Sequence, residues 1–198
     1  MGEVGIRTYD MSGKSFSDMM IDIETMGNGS DAAIVSIAAV EFNIETGECG
    51  RELSLKVSLQ SSVSRGLVMD PSTVLWWMKQ SDEARSKITD NTGLDLVTVL
   101  GTLTHFIEVS SQRGPINVWA NSPRFDLGIL QTAYKKIDCK IPWDFRRERD
   151  LRTLESFAPQ IRAHTPFEGT LHDPLDDCKH QIKYCCDTWS YIKDNKNK

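Results

Sequence analysis

The sequence predicts an α/β fold, a mixed central sheet with helices on both sides. The order of the elements predicts the class, and length and composition predict a single domain. Three strand-like runs joined by short turns come first, and further short strands then alternate with helical periodicities. A chain of 198 residues, 39% hydrophobic and 26% charged, is ordinary for one globular domain with a substantial core. Residues 1–17 show no clear periodicity and are expected to be a flexible arm, leaving residues 18–198 as that single domain.

The first strand is the apolar run of Met19, Met20, Ile21 and Ile23, closed by a turn at Gly27, Asn28 and Gly29. Residues 33–42, small and β-branched, read as a buried second strand. Beyond the turn at residues 45–48, Leu53, Leu55, Val57 and Leu59 alternate with Ser54, Lys56 and Ser58, as in a half-buried third strand. Three strands so connected form an antiparallel meander. Asp70 followed by Pro71 is an N-cap with proline at the first helical position, opening a helix over residues 72–80, and Ser81 starts another short helical turn. Leu96, Leu100, Leu103 and Ile107 then recur at helical spacing. Residues 116–120 are a short strand, and Phe125, Ile129, Leu130, Ala133, Tyr134 and Ile137 mark the face of the next helix. A short strand at residues 143–145, a helix over 150–157 and a long helix over 173–193 complete the order.

A net charge of −5 argues against a protein held to nucleic acid by a broad basic surface, yet leaves open acids that converge on metal ions. Five cysteines, odd in number and without a C-x-x-C pair, indicate neither a zinc site nor a disulfide framework, so a reduced, cytoplasmic setting is expected. No basic flank precedes an apolar run at the start, and no stretch has the length of a membrane span.

Asp22 and Glu24 lie two residues apart in the first strand, and a strand repeats its faces every two residues, so both carboxylates point the same way. Like charges about 4 Å apart repel by roughly 4 kcal/mol at an effective dielectric near 20. Such a pair answers to a cation, and Mg²⁺ or Mn²⁺, hard ions with oxygen ligands, are the natural occupants. Taken alone, the pair also suits a solvated strand face. Asp126 falls at a helix start just past the strand of residues 116–120, the sheet edge where α/β proteins bind ligands. An acid there also complements the helix dipole. Asp173 and Asp176 have structural explanations, as N-cap and capping-box acid of the last helix. His172 and Asp177 have none and can converge on one site, although a lone histidine is more often structural. Trp76 and Trp77 diverge by about 100° on a helix, so one fills the core while the other packs or stacks on a base. Arg146, Arg147, Arg149 and Arg152 cluster, as a solvated surface or as phosphate contacts.

Asp22-Ile23-Glu24, then Asn121 running to Phe125-Asp126, then His172 with Asp177 five residues later, resemble in order three motifs of the DEDDh 3′–5′ exonucleases: D-x-E, N/H-x-x-x-(F/Y)-D and H-x-x-x-x-D. Asp70-Pro71 leading to Trp76-Trp77, and the run from Arg149 to Leu154, are similar to the phage-type branch described as exoribonuclease or exodeoxyribonuclease VIII-like. Pro174 and Cys178 depart from the small residues common at those places, and neither is a ligand position. The resemblance implies a ribonuclease H-like fold with a mixed five-stranded sheet. It also implies 3′–5′ exonuclease activity on RNA or single-stranded DNA, with two Mg²⁺ or Mn²⁺ ions and nucleoside 5′-monophosphates as product. By position, Asp22 bridges both ions, Asp126 helps hold them, and Glu24 and Asp177 bind the ion that carries the attacking water, whose proton His172 takes. Thr25, Met26 and Gly27 match the place where relatives grip the terminal nucleotide, through backbone contacts and an apolar side chain against the base. Trp76, Trp77, Asn121, Phe125, Arg149 and Arg152 are the other substrate-binding candidates. The expected partner is nucleic acid, with a homodimer left open. The alternative is a catalytically silent nucleic-acid-binding or partner-docking module of the same fold.

Overall fold

The structure, a computed structural model, describes residues 5–7, 16–89 and 92–195. Strands β1 (Gly5–Arg7), β2 (Asp18–Thr25), β3 (Ile34–Phe42), β4 (Cys49–Lys56), β5 (Asn117–Ala120) and β6 (Glu148–Asp150) form one sheet in the order β1-β4-β3-β2-β5-β6. The meander β2–β3–β4 is antiparallel, and β5 and β6 add to β2 in parallel. Strands β2 to β6 are the mixed five-stranded sheet that the motifs implied. The arm expected over residues 1–17 needs a correction. Gly5–Arg7 pairs antiparallel with β4, because the outer edge of β4 presents unpaired N–H and C=O groups that an extended segment satisfies. Residues 1–4 and 8–15 lie outside the described residues.

Side-chain alternation in β2 divides the core in two. Met19, Ile21 and Ile23 join one cluster with α1 (Leu59–Ser64), α2 (Pro71–Trp77), α3 (Asp82–Thr89), α4 (Leu96–Ser111) and α5 (Asp126–Lys136). Met20 faces the other way, into a cluster with α6 (Leu151–Glu155), α7 (Pro159–His164) and α8 (Pro174–Asn195). On α4 the expected apolar stripe of Leu96, Leu100, Leu103 and Ile107 is fully buried, each side chain contributing roughly 1.5–3 kcal/mol.

Two local expectations were displaced by side-chain caps. Leu59 does not extend β4, because the Ser58 side chain accepts from Ser61 N and opens α1. Residues 143–145 are not a strand: Asp144 accepts from Arg146 N and winds Phe145–Arg147 into a 3-10 turn, so pairing with β5 begins only at Glu148. Helix α7, opened by Pro159, was not foreseen. Among the described residues no helix is long and apolar enough to cross a membrane.

Candidate active site

The period of β2 that buries Met20 turns Asp22 and Glu24 toward α8, and a β-bulge between Glu24 and Thr25 ends the regular register there. Helix α8 is seated on the strands through Cys178, whose Sγ lies 3.6 Å from the Met20 carbonyl oxygen and 3.8 Å from that of Ala38. Asp173 caps this helix, its Oδ1 accepting from Leu175 N at 3.0 Å and Asp176 N at 3.4 Å. Asp177 is thereby placed in the first turn. Asp176 does not close a capping box; it accepts from Thr170 N at 2.9 Å. Just before the cap, His172 has a φ of 64°, a left-handed backbone uncommon outside glycine and frequent at functional sites. Asp126 is the first residue of α5, buried to 4% exposure, with Oδ2 accepting from Ser122 N at 3.3 Å.

Asp22, Glu24, Asp126, His172 and Asp177 all line one open cleft of about 230 Å³, with Asn121, Phe125 and Arg152 beside them. One ligand atom from each of Glu24, His172 and Asp177 lies within 4.8 Å of the other two, and His172 Nδ1 is 3.8 Å from Glu24 Oε1. Burial is the largest cause holding every acid of the cleft above its ordinary pKa. It pushes Glu24 up to about 9, helped by the charges of Asp177 and Asp126, and Asp177 to about 7, helped by Asp173 and Asp176. Asp126 is pushed to about 6 by burial, against backbone N–H bonds and the charge of Arg152. Asp22 stands well above the carboxylate range, through burial and then the charges of Asp126, Glu24 and Asp177. Among the described residues, four acids share a lining with a single permanent cation, Arg152. This oxygen-rich donor set fits hard divalent ions. Burial lowers the pKa of His172, which favours its neutral form.

A second cleft of about 370 Å³ opens beside the acids, lined by Glu24, Thr25, Asn28, Ser72, Thr73, Trp76, Trp77 and Phe125. The two tryptophans divide as expected. Trp77 is buried and donates from Nε1 to the Thr25 carbonyl at 2.9 Å. Trp76 is 41% exposed and packs edge-on against His172, ring centroids 4.9 Å apart. Three expected contacts, Met26, Gly27 and Arg149, are not brought to either cleft. Met26 is buried in the core and its carbonyl accepts from Asp70 N, so the apolar wall is made by tryptophan and Phe125 instead; Gly27 sits behind it against Ala32. Arg149 runs along β6, donating to the carbonyls of Arg146 and Glu148 and to Asn117 Oδ1. Gln181, Asn28 and Thr73 were missed. Gln181, one helical turn beyond Asp177, donates to Asp22 Oδ1 at 2.7 Å, and its four-residue spacing was the available signal. Asn28 donates to Thr73 Oγ1 at 3.2 Å across 45 residues, which no local pattern announces.

Residues 17–189 match the 3'-5' exoribonuclease Rv2179c-like domain. The chain belongs to this family. It is a DEDDh-type 3′–5′ exonuclease, and therefore a hydrolase, as the order of its motifs implied. An exodeoxyribonuclease of Enterobacteria phage T4 is 29% identical over 200 residues, covering 83% of this chain and 86% of the phage protein. Among solved structures, the nuclease domain of 3'hExo, a DEDDh family member bound to rAMP, superposes with a TM-score of 0.65 at 12% identity, covering 89% of this chain and 93% of that one. The zinc-bound E. coli ExoI–ssDNA complex gives 0.60 at 15% identity, covering 93% of this chain and 42% of that longer one. These two likenesses bear on the fold, and they match the ribonuclease H-like sheet described above.

Proposed function

We propose that this exonuclease removes nucleoside 5′-monophosphates one at a time from the 3′ end of RNA or single-stranded DNA, with two Mg²⁺ or Mn²⁺ ions at the acids. The observation that carries the reading is the convergence of Asp22, Glu24, Asp126, Asp177 and His172 on one cleft that opens beside an aromatic pocket. The four carboxylates would hold the ions, since all of them line the one cleft and Asp126, Glu24 and Asp177 act on the charge of Asp22. Bound there, the ions would supply Lewis-acid stabilisation of the charge that builds on the phosphorus oxygens and the departing 3′ oxygen. His172, favoured as neutral by its burial, takes the proton of the attacking water on a ring nitrogen and shares it with the solvent through its exposed edge. Trp76 and Phe125 flank the terminal base, and Thr25, Asn28 and Thr73 offer hydrogen bonds to the sugar and base edge. Arg152, at the rim of the acids, contacts the scissile phosphate. The relatives point both ways on the sugar, one being an exodeoxyribonuclease and another bound to rAMP.

Incubating the chain and Mn²⁺ with matched RNA and DNA oligonucleotides labelled at the 5′ end tests this reading. A ladder of shortening labelled products is expected, with 5′-monophosphates identified by mass spectrometry. Intact substrate in Mn²⁺ and Mg²⁺ alike, or 3′-monophosphate products, would refute it. The faster of the two ladders reports the sugar preference.

A further inference from the structure

Asp177 and Gln181 are four residues apart on α8, so both project from one face of the helix toward β2. Gln181 is 6% exposed, and its Nε2 donates to Asp22 Oδ1 at 2.7 Å. Its other end is unusual: Oε1 is buried and has no hydrogen-bond partner among the described residues. A buried acceptor without a donor is destabilising, and a leucine or methionine would fill a similar volume without that defect. What the side chain contributes here is therefore its N–H. A carboxylate accepts only, so the bond to Asp22 also sets which way the amide points.

Asp22 needs such a donor. It shares its cleft with three other acids that repel its charge, and like charges would push an unrestrained carboxylate away from them. The bond from Gln181 ties Oδ1 and leaves Oδ2 without a protein donor among the described residues. A lysine or arginine would tie it as well, but would bring a permanent positive charge that competes with cations for the same acids. A neutral amide restrains the carboxylate and leaves the charge of the cluster intact. We infer that Gln181 is a positioning residue that holds Asp22 in the orientation from which it binds divalent ions. The inference rests on the metal-dependent reading above.

The test uses the full chain and the variant Gln181→Met, which removes the donor together with the unpaired acceptor. Mn²⁺ titration by calorimetry should show affinity weakened about 10–100-fold, as is typical when a partner of a metal ligand is lost. The kcat should fall with it, KM for an oligonucleotide should stay within about twofold because the contact lies outside the nucleotide pocket, and the melting temperature in chelator should be unchanged or higher. Unchanged Mn²⁺ affinity and kcat with a lowered melting temperature would make Gln181 a packing residue and overturn the inference. A wild-type chain that binds no Mn²⁺ overturns the metal-dependent reading and this inference with it, whereas wild-type binding matched by Gln181→Met overturns the inference alone. Should Gln181→Met fail to fold, the wild-type chain labelled with ¹⁵N-glutamine decides. One side-chain amide should shift on saturation with Mg²⁺, and no response from any glutamine amide would overturn the inference.

Discussion

Glu41, buried on β3, and Glu24, half-buried on β2, are acids of the same sheet, yet their surroundings are opposite. Burial alone would raise Glu41, but hydrogen bonds from Arg51 and Ser110 outweigh it and hold its carboxyl below the ordinary range. Arg51 Nη2 lies 2.8 Å from Glu41 Oε1, its guanidinium stacks over Phe106 at 4.7 Å, and it donates to the Phe106 carbonyl and to Ser110 Oγ. Glu24 has three acids among the causes of its shift and no lysine or arginine. Among the described residues, then, one acid carries its counter-ion within the fold and the other waits for one from outside. Burial marks neither as functional; the missing partner does.

The largest effect expected from this contrast is on turnover. Asp22→Asn, Glu24→Gln, Asp126→Asn and Asp177→Asn should each cut kcat by orders of magnitude, while melting in chelator stays the same or rises because a repelling charge is gone. Normal activity in any two of them would sink the two-ion scheme. His172→Ala comes next: a general base typically contributes 10²–10⁴-fold, so kcat should drop in that range with Mn²⁺ affinity largely kept. The variant should also lose the acidic limb of the pH profile. His172 acts in its neutral form, so wild-type activity should rise with pH through a value below 6.5. A thermally weakened but fully active His172→Ala would remove it from the mechanism.

The paired acid should respond the other way. Arg51→Met leaves Glu41 buried without its cation, which costs about 3–5 kcal/mol, or about 2–4 °C of melting temperature per kcal/mol, while kcat of the folded molecules stays near wild type. A stable but inactive Arg51→Met would erase the distinction between the two regions. The smallest effect is on stability against pH. A carboxyl whose pKa is higher folded than unfolded contributes stability below its unfolded value, near 4, and loses it as pH rises through the folded value. Those folded values are about 6 for Asp126, about 7 for Asp177 and about 9 for Glu24. Melting temperature in chelator should therefore fall by several degrees between about pH 5 and 8.5, and Mn²⁺ should restore it at the higher pH only. Glu24→Gln should flatten the slope; an unchanged slope would place the pH dependence elsewhere.

Much of this was determined by the sequence alone, where the signal was local. The two-residue period of β2 put Asp22 and Glu24 on one face, Asp70 with Pro71 and Asp173 with Pro174 marked helix starts, and the three motifs in order implied both the fold and the family. The strand period and the helix caps depend on neighbours within a turn, so short-range stereochemistry decides them, whereas the motifs spoke through their resemblance to a family. Tertiary structure alone decided what each acid meets. Asp22 is bonded to Gln181 across 159 residues, Trp77 rather than Trp76 fills the core because its Nε1 reaches the Thr25 carbonyl, and Met26 yields the pocket wall to residues of α2 and the edge of α5. Even Glu41 and Arg51, ten residues apart, meet only because β3 and β4 pair in one particular register under α4. A charge in a sequence carries no record of its partner, because burial and counter-ion are properties of the packed arrangement and not of the residue.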